Sequence, residues 1–445
     1  MIRIKFLSNN HLTTTVGLPI VHLSTKFINE HHIETNEVFI KMGKWQKAFQ
    51  VQENKKLNVQ EIMLSKEEFS YNIPEDLPFE AKVEGNSILL GPVIAFIAKK
   101  KNSSLTLKTL NNFLLRLNKY NEIGGLIYIC SAEGVDVTNQ TINGYAYNPN
   151  ARTGTDCWIG GHFPFPDSIF KKIRLPNQLE LSLQQVIGDN LFNTNFFNKL
   201  QFWQVCASNE RIRGFIPLTK TYSSVATLNE MITRFDTVYV KPVSGMKGIG
   251  IFMIAKDKDE SLIVANHYNE KKRFNSAFNV KLYLDKEIGN QRYMIQQGIP
   301  TRYKNKNVDF RLYLQKDKSK KWICQGSLGR VAKEESIVTN LNHISHLSDG
   351  EKAIKIVFNV NKQTASTILH STILICTEIC EELDKRLGHY GDVALDVIID
   401  ETYKPWVLEV NNLYGVKSLD ILQDKETLNK LRTTPLEYAK ALAGF

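Results

Sequence analysis

Residues 392–412 read DVALDVIID-ETYK-PWVLEVNN, two apolar segments separated by four turn-forming residues. Such a pattern predicts a β-hairpin. Because side chains alternate between the two faces of a strand, Glu409 and Asn411 share one face. A symmetric turn places Asp396 directly opposite Glu409, and Ala394 opposite Asn411. The hairpin therefore predicts two carboxylates and one amide clustered on a single sheet face.

Two carboxylates in this arrangement carry an electrostatic cost. Directly opposed residues have Cβ atoms about 4.5–5.5 Å apart, and like charges at that distance repel, more strongly on a half-buried face. We expect that only a bound divalent cation makes this proximity tolerable. Mg²⁺ prefers oxygen ligands, a few from the protein and others from substrate phosphates. Asp396, Glu409 and Asn411 supply such a set; the alternative is an exposed polar sheet face.

In the segment YVKPVSGMKGIGIF, residues 239–252, Lys241 stands near the end of a predicted strand, Thr237–Val243, and three glycines separate this strand from a second one, Ile251–Ala255. It is neither a P-loop nor a dinucleotide-binding turn. Glycine N–H groups can approach anions without side-chain obstruction, and Lys241 adds a positive charge. We interpret the segment as a phosphate-binding loop; the alternative is an ordinary flexible turn.

A third candidate is NVDFRLYLQ, whose strand Val308–Gln315 is predicted to pair with Trp322–Leu328 across the turn KDKSK. On this strand Asp309, Arg311 and Tyr313 share one face. The planar fork of Arg311 can hold a phosphate or a carboxylate. The alternative to ligand binding is a surface ion pair, in which Arg311 contacts Asp309 or a carboxylate on a neighbouring strand.

Two further segments give weaker signals. YMIQQGIP, residues 293–300, reads as a strand leading into a hinge, and RVAKEESIVTNLNH, residues 330–343, has a cation and an asparagine placed to reach anionic oxygens. We find no local pattern for Ser-His-Asp or Cys-His catalysis, and no histidine metal motif.

Composition restricts the possible classes of protein. The chain has 445 residues, a net charge of +10 and 42% hydrophobic residues, which predicts two or three globular domains and makes an anionic partner plausible. We do not expect nucleic acid as a partner, because no aromatic–basic stacking motif accompanies the charge. Six cysteines without a CxxC pair indicate a reducing compartment. The longest apolar run, Ile88–Ala98, is too short to span a membrane. We expect a cytoplasmic protein.

Three regions differ in pattern. Residues 1–85 read as a small β-rich domain. Residues 86–188 contain the apolar run, a helical stretch Leu105–Tyr120 and a strand Leu126–Cys130, which is the order of a parallel α/β unit. Residues 189–445 contain the three hairpins and a long amphipathic helix, Ser366–Leu387. The predicted fold class is α+β and α/β.

The order of these elements resembles the ATP-grasp superfamily over roughly residues 190–440. More narrowly, the chain looks like the YheC/YheD-type endospore coat-associated proteins. The segments LLGPVIAF and PWVLEVNN carry this narrower resemblance. The resemblance implies an ATP-grasp domain of two subdomains, preceded by a pre-ATP-grasp α/β domain and a small β-rich N-terminal domain.

The resemblance also implies ligands and residue roles. ATP is expected, with one or two Mg²⁺ ions that Mn²⁺ can replace. Lys241 corresponds to the lysine that contacts the ATP phosphates, and Lys199 to an earlier lysine that contacts the nucleotide in many members. The phosphate-covering loop corresponds to Ser244, Gly245, Gly248 and Gly250. The adenine hinge corresponds to Gln297, Gly298 and Ile299, preceded by Gln296 where many members carry an acidic residue. Arg311 corresponds to the arginine near the transferred phosphate, and the metal ligands to Asp396, Glu409 and Asn411.

The activity implied is that of a carboxylate–amine ligase working through an acyl phosphate, with small-molecule or peptide substrates. In many relatives a glycine pair follows the asparagine that corresponds to Asn340, whereas LNHISHLSDG follows it here, so the acceptor is expected to differ. The alternative is a non-catalytic or weakly catalytic ATP-binding structural protein of the spore coat. Its partners would be coat proteins, and its location the mother cell or the coat.

Overall fold

The computed structural model describes residues 1–7, 17–65, 68–151, 156–245, 248–300, 302–304, 306–334, 336–339 and 343–445. The chain divides into two compact units. Unit 1 comprises Met1–Thr194, Lys316–Lys321 and Asn429–Phe445, and unit 2 comprises Asn195–Gln315 and Trp322–Leu428.

Unit 1 begins with a closed seven-stranded barrel in the order β1-β5-β2-β4-β3-β7-β6. Alternate residues such as Val38, Ile40 and Met42 are buried inside it, as expected for strands with one face in a core. The barrel elements are β1 (Ile2–Leu7), β2 (Ile20–Leu23), α1 (Thr25–Glu30), β3 (Glu37–Met42), β4 (Trp45–Glu53), β5 (Glu61–Ser65), β6 (Pro78–Glu84) and β7 (Ser87–Gly91).

The second sheet of unit 1 has six strands in the order β11-β10-β9-β8-β12-β13. Strands β8 and β9 pair in parallel, as predicted. The sheet and its helices comprise β8 (Val93–Lys99), α2 (Leu107–Asn111), α3 (Tyr120–Ile123), β9 (Leu126–Asp136), β10 (Thr141–Tyr147), β11 (Trp158–Pro164), β12 (Ser168–Lys171), α4 (Asn177–Ile187) and β13 (Leu191–Phe192).

Two sequence-based expectations about this region are wrong. The apolar run Ile88–Ala98 is not one strand, because Pro92 separates β7 in the barrel from β8 in the second sheet. The stretch Leu105–Tyr120 is not one helix. It contains the five-residue α2 and a 3₁₀ turn at Leu114–Arg116, because Phe113, Arg116 and Leu117 donate their N–H groups to the carbonyl three residues earlier, as in a 3₁₀ turn, and not to the one four residues earlier.

The first sheet of unit 2 is antiparallel, in the order β14-β19-β15-β16-β17-β18. Helices α6 and α7 contribute Leu228, Met231 and Leu284 to its core. The predicted glycine hairpin is confirmed, since Val240 pairs with Phe252. The elements are α5 (Lys199–Ala207), β14 (Thr219–Thr221), α6 (Val225–Arg234), β15 (Thr237–Pro242), β16 (Phe252–Lys256), β17 (Leu262–Asn266), β18 (Lys271–Phe274), α7 (Ala277–Ile288) and β19 (Tyr293–Gln297).

The second sheet of unit 2 runs β23-β22-β21-β24-β25, with β20 paired to β21. Helices α8 and α9 pack on one face of it, against residues such as Phe310, Leu312 and Leu395. The elements are β20 (Arg302–Tyr303), β21 (Lys306–Lys316), β22 (Trp322–Ala332), β23 (Ile344–Asp349), α8 (Gly350–Phe358), α9 (Lys362–Arg386), β24 (Asp392–Ile399), β25 (Pro405–Asn411) and α10 (Lys417–Leu422). The last helix, α11 (Lys425–Leu442), belongs to unit 1 from Asn429 onward.

The hairpin of β24 and β25 has the predicted residue pairs, but its turn differs from the predicted one. Asp396 pairs with Glu409, and Ala394 pairs with Asn411. Nearer the turn, however, Val397 pairs with Val407, so Leu408 is an extra residue in β25. The turn is therefore not the symmetric one expected, and this β-bulge restores the register that brings the two carboxylates together.

Candidate functional site

Two arginines hold the carboxylate of Asp396. Arg311 lies opposite Asp396 on the adjacent strand and donates from Nε and Nη2 to its two oxygens, both at 2.7 Å. Nη2 of Arg330, on β22, lies 3.1 Å from Oδ1 of Asp396. Burial opposes ionisation of Asp396, but the two guanidiniums outweigh it and hold its pKa well below its usual range. Asp396 is therefore charged at neutral pH.

Arg330 joins Asp396 to a second buried carboxylate. Its Nε and Nη2 donate to the two oxygens of Asp309 at 2.7 and 2.6 Å, and the Thr339 hydroxyl donates to the same group. Burial disfavours the charge on Arg330, but Asp309 and Asp396 more than offset this and raise its pKa. These contacts make a four-member network with Arg311, in which burial raises the pKa of the Asp309 carboxyl above its usual value despite the opposing charge of Arg330.

The expectation that only a metal ion makes the opposed carboxylates tolerable is wrong. Asp396 is neutralised by Arg311 and Arg330. Glu409 is neutralised by Lys199, whose Nζ lies 3.2 Å from its Oε2. These cations come from α5, β21 and β22, and the hairpin sequence does not show that they converge on it.

Lys199 also connects the hairpin to the glycine segment. It is the first residue of α5, whose N-terminus is capped by Asn198, and its Nζ donates to the carbonyl oxygen of Gly245 at 2.9 Å. Beside it, Asn411 Nδ2 donates to Glu409 Oε1 at 3.3 Å. Lys199, the least certain of the sequence-based candidates, thus lies at the centre of the cluster.

Lys241 is half-buried near the end of β15. Its Nζ donates to Gln296 Oε1 at 2.6 Å, and Gln296 Nε2 donates to the hydroxyl of Thr219 at 3.0 Å. Burial, together with the positive charge of Lys199, lowers the pKa of Lys241 to about 8, against the opposing effect of Glu409. Lys241 is therefore a phosphate-binding candidate whose charge changes near neutral pH.

We predict that nucleotide affinity falls as the pH rises above about 8, because free Lys241 then loses its proton. If the charged form alone binds phosphate, Kd rises about tenfold per pH unit beyond that point. Calorimetric titration with ATP across this range measures the slope. The control is Lys241→Arg, because a guanidinium keeps its charge throughout. An equally steep loss of affinity in this variant would assign the proton to another group.

The glycine segment is described at Ser244, Gly245, Gly248 and Gly250, whereas Met246 and Lys247 lie outside the described residues. Gly248 and Gly250 have φ angles of 73° and 75°, in the left-handed region that favours glycine. A Cβ on Gly250 would also lie 2.6 Å from the hydroxyl of Tyr293. These glycines are thus required by the backbone path, and their role toward phosphate stays a prediction.

The predicted hinge follows directly from β19. Gln297 N–H donates to the carbonyl of Leu218, and Gly298 N–H to that of Thr237, both at 2.8 Å. Ile299 is buried. These bonds fix the path of the hinge backbone. Gln296 is buried between Lys241 and Thr219, so it acts on the site by orienting Lys241, a contact that sequence reasoning missed.

The donor set on the hairpin fits a hard divalent cation such as Mg²⁺. Asp396, Glu409 and Asn411 present only oxygen ligands on one sheet face. A carboxylate has about four lone-pair positions, so the arginine and lysine contacts do not exhaust it. Among the described residues no group of three or more His, Cys, Asp and Glu side chains could hold a metal, so a metal on the hairpin would need the amide oxygen of Asn411 beside the two carboxylates, and this ligand set stays a prediction.

Two other sequence-based expectations have different outcomes. Asn340 lies outside the described residues. Arg330, which the sequence marked only weakly, belongs to the charge network. Strand alternation places it on the same face as its partners, and this is the signal that could have identified it.

In the described part of the chain, no helix combines the length and apolar character needed to cross a membrane.

The two antiparallel sheets of unit 2, one of which contributes Lys241 and the other an acidic–Asn hairpin paired with Lys199 of helix α5, define an ATP-grasp protein. Residues 188–442 match the family described as "YheC/D like ATP-grasp", and the chain belongs to that family.

Relatives extend over most of the chain. It is 25% identical over 410 residues to "Endospore coat-associated protein YheD" of Bacillus subtilis (strain 168), covering 86% of each protein. It is 22% identical over 235 residues to "Endospore coat-associated protein YheC" of the same strain, covering 52% of this chain and 63% of that protein. The crystal structure of the D-cycloserine synthetase DcsG aligns with a TM-score of 0.42 at 12% identity, covering 79% of this chain and 99% of that one.

Proposed function

We propose that the protein is a Mg-ATP-dependent carboxylate–amine ligase. The observation that carries the proposal is the convergence on one site of Lys199 and Lys241, two arginines and the oxygen set of Asp396, Glu409 and Asn411. Lysines and arginines beside the proposed metal-binding face of the hairpin could neutralise the negative charge of the ATP polyphosphate. Phosphoryl transfer depends mainly on such charge neutralisation and on positioning.

In the proposed reaction a carboxylate oxygen of the first substrate attacks the γ-phosphorus of ATP, and the bond to ADP breaks. An amine then attacks the carbonyl carbon of the acyl phosphate. Inorganic phosphate leaves with one oxygen of the original carboxylate, and the amine nitrogen loses a proton. The product is an amide.

Each residue has a distinct part in this proposal. Lys241 and Lys199 bind the ATP phosphates as point charges. Arg311, already oriented by its two bonds to Asp396, lies beside the transferred phosphoryl group and stabilises its charge. Asp396, Glu409 and Asn411 would hold Mg²⁺, which supplies charge neutralisation to the phosphate oxygens when bound.

The proposal extends to partners and place. We propose small-molecule or peptide carboxylates and amines as substrates, and association with spore coat proteins in the mother cell. The names of the two relatives, which are endospore coat-associated proteins, support the association with the coat. A second candidate with the same association is a coat protein that binds Mg-ATP without turning it over.

Isotope transfer tests the ligase directly. The protein is incubated with ATP, Mg²⁺, an amine and a panel of carboxylates labelled in their oxygens. A ligase moves one labelled oxygen into inorganic phosphate, whereas simple ATP hydrolysis moves none. ATP binding without labelled phosphate over the whole panel would favour the structural role. Failure to bind ATP would exclude both candidates.

A further inference from the structure

Unit 2 contains a cavity of about 310 Å³ that the proposed reaction does not use. It lies between β22, β23 and helix α8, and its apolar lining includes Val331, Ala353 and Val357. Its polar lining includes Ser348 and two lysines, Lys304 and Lys306. The volume is within the usual range for small-molecule sites.

The cavity is on the opposite face of the sheet from the nucleotide site. Ser348 pairs with Gly329, and His346 pairs with Val331. Side chains alternate along β22, so Arg330, between Gly329 and Val331, points to the other face, where it holds Asp309. A ligand in the cavity would therefore not compete with ATP for space.

The hydroxyl of Ser348 is buried and lacks a hydrogen-bond partner among the described residues. The residue is only 5% exposed. A buried hydroxyl without a partner is costly. Since Ser348 lines the cavity, a bound molecule could supply the missing bond.

The two lysines give the cavity a positive charge. Neither Lys304 nor Lys306 forms an ion pair with a carboxylate of the described residues. Lys304 Nζ lies 5.2 Å from the ring centroid of Tyr303, which also lines the cavity. Two ammonium groups beside an apolar surface favour a ligand that combines a negative charge with an apolar body.

We propose that this cavity binds a small organic anion. Its charged end contacts Lys304 and Lys306, its apolar body lies on Val331, Ala353 and Val357, and one polar atom bonds to Ser348. A carboxylate and a phosphate monoester share this chemistry. The site is independent of the proposed ligase reaction.

Calorimetric titration of the full-length protein with hexanoate, hexyl phosphate and hexanamide tests the proposal. At least one anion is expected to bind, and the uncharged amide more weakly by about tenfold or more. Which anion binds better decides between a carboxylate and a phosphate ligand. In the double variant Lys304→Gln/Lys306→Gln the affinity for the anion is expected to fall about tenfold or more.

The matched control is Lys318→Gln, because Lys318 is exposed in the turn between β21 and β22. This variant should bind the anion with the affinity of wild type. Ser348→Ala should weaken binding while ATP affinity stays unchanged, which shows that the nucleotide site is intact. The proposal is overturned if neither anion binds, if hexanamide binds as well as the anions, or if the double variant binds like wild type.

Discussion

Glu409→Gln is expected to remove the Mg²⁺-dependent part of ATP binding and to lower any turnover on the order of 100-fold. The substitution keeps the size of the side chain but removes the charge that attracts a hard cation. The fold should survive, because Glu409 is partly exposed and Lys199 keeps its bond to Gly245.

Titration with ATP in the presence of Mg²⁺ and in the presence of a chelator measures this effect without any acceptor substrate. Wild type should bind more tightly with Mg²⁺, and the variant should show no difference. The matched control is Glu378→Gln on the exposed side of α9, which should behave like wild type. An undiminished response to Mg²⁺ in Glu409→Gln would remove Glu409 from the metal site.

Arg330→Met is expected to destabilise unit 2 by about 3–5 kcal/mol, the usual effect of leaving a buried charge unpaired. Asp309 would lose both guanidinium bonds and Asp396 one neighbour, while both carboxylates stay buried. Arg330→Lys should recover only part of the loss, because an ammonium cannot form the two parallel bonds.

Urea denaturation gives the size of this effect, and hydrogen exchange of β21 and β24 assigns it to unit 2. The companion variant Asp309→Leu/Arg330→Met removes both partners and should be more stable than Arg330→Met alone. A loss below about 1 kcal/mol for Arg330→Met would place the pair among weak surface contacts.

Local pattern was sufficient for the hairpins of unit 2. Strand alternation in the printed sequence predicts that Glu409 and Asn411 share a face, and the pairing of Asp396 with Glu409 is observed. Pattern reasoning failed for the stretch Leu105–Tyr120, where one helix was predicted and a five-residue helix followed by a 3₁₀ turn is observed.

The sequence by itself determined which residues of the hairpin and of the strand that carries Asp309 and Arg311 share a face, because alternation along a strand is a property of the local backbone. Only the tertiary structure decided how the charges are compensated. Arg330, Lys199 and Gln296 reach Asp396, Glu409 and Lys241 from strands and a helix distant in the chain. Such partnerships depend on which strands are neighbours in a sheet, and short-range patterns contain no information about that.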